Sequence, residues 1–302
     1  MITTRPAATA SSTTTAFQRG RALALSALCL LAMSVVLSSC AARETSNVEP
    51  LLVFAASDLR DALTEIARDY REAGGDSAVL VFGSTGDLAT QIANGAPADL
   101  FFAANADAVD ALAERGSIVD SMREVYAIGR LAVIARCTSA DTSRDRATGA
   151  ASGGPSGVCP RLSLTDLLSD SLRTIAIADP SHAPYGRAAQ QALEAAGVWE
   201  GVKSKLILGA NISQAEIFVT SGNADAGIVA LSLLKRGGTR VYTPVDTSLH
   251  APLMQTVAIV SRSTRQSAAR AFVTYVQSAV GRAVMDRYGF SPPPPAGASH
   301  DS

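Results

Sequence analysis

Four short stretches of the chain combine small residues, a hydroxyl or amide, and the start of a helical pattern. They are Ala56-Ser57-Asp58, Gly83-Ser84-Thr85-Gly86, Ala183-Pro184-Tyr185-Gly186 and Ala210-Asn211-Ile212-Ser213. The start of a helix leaves backbone N–H groups without intrahelical partners and carries a partial positive charge. Several such starts converging on one point hold an anion without any fixed cation. Taken singly, each stretch reads as ordinary N-capping by Ser, Thr, Asn or Asp. "GSTGD" is too short for a phosphate-binding P-loop and lacks its lysine. The repetition of one chemistry along one chain is what points to a site.

Other chemistries find less support. His182 and Asp179 have the types that general acid–base catalysis uses. They flank a Pro-containing turn, however, and no G-x-S-x-G nucleophile motif is present. The histidines are His182, His250 and His300, the last two in a loop and the tail, so a histidine-based metal site is not expected. Arg60, Arg187, Lys203 and Lys205 read as solvated charges on helix faces. A formal net charge of -1 lacks the basic excess of a nucleic-acid binder.

The elements that must position these stretches alternate. "LLVFAA" leads into "DLRDALTEIARDYREAGG", where Leu59, Leu63, Ile66 and Tyr70 recur at helical spacing and Gly74-Gly75 ends the pattern. "SAVLVFGSTG" leads into "DLATQIANG", and "ADLFFAAN" into "ADAVDALAERG". "VYAIGRLAVIAR" is one long strand or two. "TIAIADP" leads through "SHAPYG" into "RAAQQALEAAG", and "KLILGAN" into "ISQAEIFVTSGN". "DAGIVALSLL" and "MQTVAIV" are later strands, and "STRQSAARAFVTYVQSAVGRAVMDRYG" a final helical pair. Strands alternating with helices predict an α/β protein with mostly parallel sheets, whose ligand sits where strands end and helices begin.

The first 39 residues read as a signal peptide: a polar stretch with Arg5, Arg19 and Arg21, then "ALALSALCLLAMSVVLSSC". Leu37-Ser38-Ser39-Cys40 resembles a lipoprotein signal, in which Cys40 becomes the lipidated first residue; an uncleaved anchor is the alternative. Residues 40–50 are then a lipidated tether, and the domain lies outside the cytoplasm. With Cys29 removed and Cys40 lipidated, Cys137 and Cys159 remain, most simply as a disulfide. They would close a Gly/Ser/Ala-rich insertion, 137–159. "SPPPPAGASHDS", 291–302, reads as a disordered tail.

Longer segments carry a resemblance. "VFAASDLRDALTEIA", "FGSTGDLATQIANGAPADLFFAAN", "IAIADPSHAPYGRAAQQALEAAGVWE", "NISQAEIFVTSGNADAGIVALS", "HAPLMQTVAIV" and "DRYGF" resemble the periplasmic molybdate-binding proteins that feed ABC importers, in that family's order. "GAPADLF" and "P-x-x-APYG" are the most telling. The resemblance implies a two-lobed periplasmic-binding-protein fold, with lobe I at 51–130 and 242–290 and lobe II at 131–241. Two crossings, near Gly129-Arg130 and Arg240-Tyr242, would form the hinge. The oxyanion would lie in the cleft.

For the site, the resemblance implies backbone and side-chain donors at Ser57 and Asp58 and a hydroxyl at Thr85 beside Ser84. It implies backbone N–H donors at Tyr185 and Ile212, with Asn211 alongside. Ala230 falls where some members carry a tyrosine. Alanine cannot donate, so the Tyr185 phenol is expected to substitute. An ionised Asp58 facing a dianion would repel it, so Asp58 is expected to cap its own helix instead.

The function implied is capture of molybdate, and also tungstate, by a lipid-anchored monomer that delivers the ion to an ABC permease. No reaction and no cofactor are expected; molybdenum enters only as bound molybdate. The rival readings are a sulfate or phosphate binder, and a secreted enzyme using Asp58 or Asp179 as a base.

Overall fold

The computed structural model describes residues 49–139, 157–235 and 241–293. The signal, Cys40, most of the 137–159 insertion, Arg240 and residues 294–302 lie outside the described residues.

In chain order the first strands and helices are β1 (Leu51–Ala56), α1 (Arg60–Glu72), β2 (Ala78–Gly83), α2 (Thr85–Ala93), β3 (Leu100–Ala103), α3 (Ala106–Glu114) and β4 (Ile118–Gly129). There follow β5 (Leu131–Ala135), β6 (Thr138–Ser139), β7 (Gly157–Val158), β8 (Ile175–Ala178), α4 (Pro184–Ala195), α5 (Trp199–Val202), β9 (Leu206–Gly209), α6 (Ile212–Thr220) and β10 (Ala226–Ala230). The chain closes with β11 (Thr243–Pro244), β12 (Leu253–Val260), α7 (Gln266–Val276) and α8 (Ala279–Arg287).

Two five-stranded sheets result, ordered β2-β1-β3-β12-β4 and β11-β5-β10-β8-β9. Each is mixed. Where a helix crosses between strands the pairing is parallel, β1 with β2 and β3, and β8 with β9 and β10. Where a strand arrives from the other lobe or leaves for it, the pairing is antiparallel: β12 with β3 and β4, β5 with β10 and β11.

Register places the candidate turns side by side. Ala56 pairs with Gly83, so Ser57 and Ser84 leave the first sheet together. Ala178 pairs with Gly209, which does the same for the turns before α4 and α6 in the second. The helices earn their places through apolar stripes. On α1, Leu63 and Ile66 are fully buried and Tyr70 meets Phe272 of α7 edge-on, with ring centroids 5.2 Å apart. Each such side chain contributes about 1.5–3 kcal/mol by leaving water.

"VYAIGRLAVIAR" is two strands in different sheets, and Arg130 alone separates them. The return crossing lies later than expected. β11 pairs with β5, and Val245 N donates to Leu131 O, so residues 242–245 belong with the second sheet and the chain crosses back at 246–252. A strand of two residues, Thr243 and Pro244, carries no periodicity that would mark it. Ser291, assigned to the tail, exchanges backbone hydrogen bonds with Ile128 of β4 and is part of the fold. Cys137 and Cys159 are joined by a disulfide at the base of the insertion, beside the short β6–β7 pair.

Candidate functional site

The strand ends of the two sheets face a tight chamber of about 10 Å³, far below the range of pockets that take drug-sized organic ligands. Ser57 and Asp58 after β1, Ser84 and Thr85 after β2, and Tyr185 and Ile212 from the second lobe line it, with Ala56, Gly83, Ala104, Ala183 and Pro184 completing the wall. No lysine or arginine is among the lining residues. Small side chains at these positions let the backbone come close, and residues at three helix starts, Thr85 of α2, Tyr185 of α4 and Ile212 of α6, line it. The N–H groups of Gly86, Asp87, Ser213 and Gln214 are already bonded to His182 O, Ser84 Oγ, Ser57 Oγ and Asn211 Oδ1.

Each hydroxyl has a definite use. Thr85 is the first residue of α2 and is 1% exposed; its Oγ1 accepts from Ala104 N at 3.0 Å, so its own proton remains to be donated. Ser84 caps α2 by accepting from Asp87 N at 3.3 Å. The same oxygen lies 2.8 Å from His182 Nδ1 and donates to His182 O at 3.2 Å. Gly86 N also donates to His182 O, at 3.0 Å, and a Cβ on Gly86 would lie 2.6 Å from that oxygen. Only glycine permits this approach of the lobes.

Further bonds cross between lobes. Ser213 N donates to Ser57 Oγ at 3.3 Å, Ser213 Oγ to Ser57 O at 2.9 Å, and Ser232 Oγ to Asp58 O at 2.7 Å.

Asp58 departs from expectation. It sits in a 3-10 turn, Ser57–Leu59, and makes no side-chain cap; Leu59 is the residue that precedes α1. The tight turn carries its carboxyl inward instead, where it is 1% exposed. Oδ2 accepts from Gln255 Nε2 at 3.0 Å, and Oδ1 has no partner. Burial pushes the carboxyl up to about 7, against hydrogen bonds from Tyr185 and Gln255 that hold it lower.

The Tyr185 phenol therefore turns to Asp58, and Gln255 Nε2 lies 3.4 Å from its oxygen. It is packed against the Cα of Gly129 so closely that a Cβ there would collide with it. Burial and the Asp58 charge hold the Tyr185 and Tyr126 phenols well above their ordinary range.

Two expected positions are not brought to the chamber. Asn211 caps α6, its Oδ1 accepting from Gln214 N at 3.1 Å, and Ala230 is buried in register opposite Leu131. An alanine there has no side-chain donor to offer. Three polar residues around the site were not anticipated as such: Tyr126, Ser232 and Gln255. Gln255 is wholly buried, and a glutamine inside the apolar run "LMQTVAIV" is the signal that marks it. The buried and unpartnered Tyr126 hydroxyl carries no such mark in "VYAIG".

Residues 51–291 match the family of bacterial extracellular solute-binding proteins. The chain belongs to that family. Its members bind solutes and are not enzymes, which removes the reading of Asp58 or Asp179 as a catalytic base. The chain is 32% identical over 266 residues to the molybdate-binding protein ModA of Azotobacter vinelandii, covering 86% of this chain and 96% of that protein. With the molybdate-binding protein ModA of Rhodobacter capsulatus the identity is 31% over 237 residues, 78% of this chain and 85% of the relative. The solved periplasmic molybdate-binding protein of Azotobacter vinelandii superposes with a TM-score of 0.69 at 24% identity, covering 81% of this chain and 100% of that one, and so shares the fold.

Proposed function

We propose that this solute-binding protein captures molybdate, and tungstate alike, in the chamber between its two sheets and hands the ion to an ABC permease. The observation that carries the reading is the lining itself: helix starts and hydroxyls from both lobes, small side chains, and no cation among the lining residues. The identity to molybdate-binding relatives over most of the chain supports the choice of ion. Thr85 Oγ1–H and the backbone N–H groups of Tyr185 and Ile212 are the donors, and the interlobe bonds of Ser57, Ser84 and Ser232 hold the closed form that the permease meets. A lipid on Cys40 keeps the protein, as a monomer, at the outer face of the membrane.

Molybdate and sulfate are both dianions at neutral pH, so size rather than charge separates them. A rigid ring of donors fitted to the larger ion leaves longer, weaker hydrogen bonds to the smaller one. A ligand at about a thousand times its Kd stabilises the folded state by ~4 kcal/mol, a clear melting shift. In a thermal-shift screen, molybdate and tungstate are expected to raise the melting temperature and sulfate and phosphate to leave it nearly unchanged. A shift with sulfate or phosphate and none with molybdate would replace this reading with that of another oxyanion binder.

A further inference from the structure

We propose that Asp58 holds a proton in the closed chamber and donates it, through Oδ1, to the bound oxyanion, so that the ion is bound only together with one proton. This rests on the oxyanion reading above and assigns Asp58 as a specificity-determining residue of that site.

The geometry carries it. Asp58 lines the chamber and is almost wholly buried. One oxygen, Oδ2, is held by Gln255 Nε2 and the Tyr185 phenol turns to the same carboxyl, while Oδ1 is buried with no partner within hydrogen-bonding distance. Buried polar atoms are nearly always hydrogen-bonded, so an orphan on a residue that lines a binding chamber calls for a ligand as its partner. The other groups facing the chamber are donors. An ionised carboxylate among them would compete for those donors and repel a dianion, whereas a neutral carboxyl adds one more donor to the ring.

Among the described residues no cation acts on the carboxyl. The ionisable groups that act on Asp58 are phenols, Tyr185 on α4 and Tyr126 on β4, both held in their neutral form. The neighbours on β12 and in the Leu231–Leu234 turn, Gln255 and Ser232, are uncharged. Arg60 at the start of α1 lies over the Phe82 ring, 4.7 Å from its centroid, and Lys235 Nζ lies 3.1 Å from the Tyr242 hydroxyl. Neither they nor Asp61 of α1 or Glu216 of α6 contribute to its shift. Burial raises the carboxyl to about 7 against the hydrogen bonds from Tyr185, its own backbone N–H and Gln255 that lower it, and an anion set beside it raises it further.

The balance is simple. Well below the point where the carboxyl titrates, about 7 when buried, it already carries its proton and binding takes up almost none. Well above it, each ion bound draws about one proton from solvent, and affinity falls about tenfold per pH unit.

The test is calorimetric titration of the purified protein with sodium molybdate between pH 6 and pH 8.5, in two buffers of different ionisation enthalpy. The expected result is a Kd about thirtyfold weaker at pH 8.5 than at pH 6, with about one proton taken up per ion at the higher pH, given a carboxyl that titrates about 7. Asp58→Asn, whose amide donates at every pH, should abolish both the slope and the proton uptake. Molybdate bound with equal affinity across the range and no proton uptake would overturn the proposal and leave the oxyanion reading standing. A slope that persists in Asp58→Asn would also overturn it. No molybdate binding at any pH would overturn both readings together. Should Asp58→Asn fail to fold, the proton count of the unaltered protein decides alone.

Discussion

Among the site residues, Thr85 has the clearest single task. Its oxygen already accepts from Ala104 N, and that bond fixes the hydroxyl so that its one proton can point into the chamber. A hydrogen bond to a charged group is worth roughly 1.5–3 kcal/mol. Thr85→Ala should weaken molybdate binding by about that much, roughly tenfold to a hundredfold and more, while Thr85→Ser stays close to the parent. Calorimetry on both variants checks it, and an unweakened Thr85→Ala would remove the hydroxyl from the donor set. Some of this scale was legible in the sequence and some was not. Small residues beside a hydroxyl at a strand-to-helix junction marked Ser57, Ser84, Thr85, Tyr185 and Ile212. The direction in which Asp58 points was not legible, because it depends on a 3-10 turn and on Gln255, a residue 197 positions away in the chain. Asn211 next to Ile212 shows the same limit, since capping and ligand binding ask for the same residue type.

Among the elements, the parallel strands with their helices were legible as apolar runs followed by 3.6-residue periodicity. The crossing strands were harder to place. β4 and β5 read as one long strand or two because a single residue, Arg130, separates them, and β11 is too short to show any period. The disulfide belongs to this scale. It closes a segment with a sequence separation of 22 residues, and in the chain-entropy model a loop of about that size is worth ~3 kcal/mol. The insertion springs from the end of β5, and neither Cys137 nor Cys159 is among the residues that line the chamber. Replacing both cysteines by serine should therefore lower the denaturation midpoint and leave the molybdate Kd within about twofold. Chemical denaturation and titration of the double variant separate the two effects. A large loss of affinity would mean that the insertion supports the site after all.

At the scale of the whole molecule, the lobes share buried apolar contact, with the Leu231–Leu234 turn against α1, and short polar contacts, Ser57 with Ser213, Ser84 and Gly86 with His182, and Ser232 with Asp58. Each polar contact is worth only about 0.5–1.5 kcal/mol net. In the proposed reading the two halves part at 130 and 246–252, and closure over an ion adds the donor bonds that tip the balance. The central claim is that both lobes contribute to one oxyanion site. Anomalous diffraction at the molybdenum absorption edge, from crystals grown with molybdate, tests it most directly. The expected result is one strong peak within hydrogen-bonding reach of Thr85 Oγ1 on one side and the Ile212 and Tyr185 N–H groups on the other. A peak elsewhere, for example in the groove beside Asp87, Asp107 and His182, or no ordered molybdenum at saturating molybdate, would contradict it.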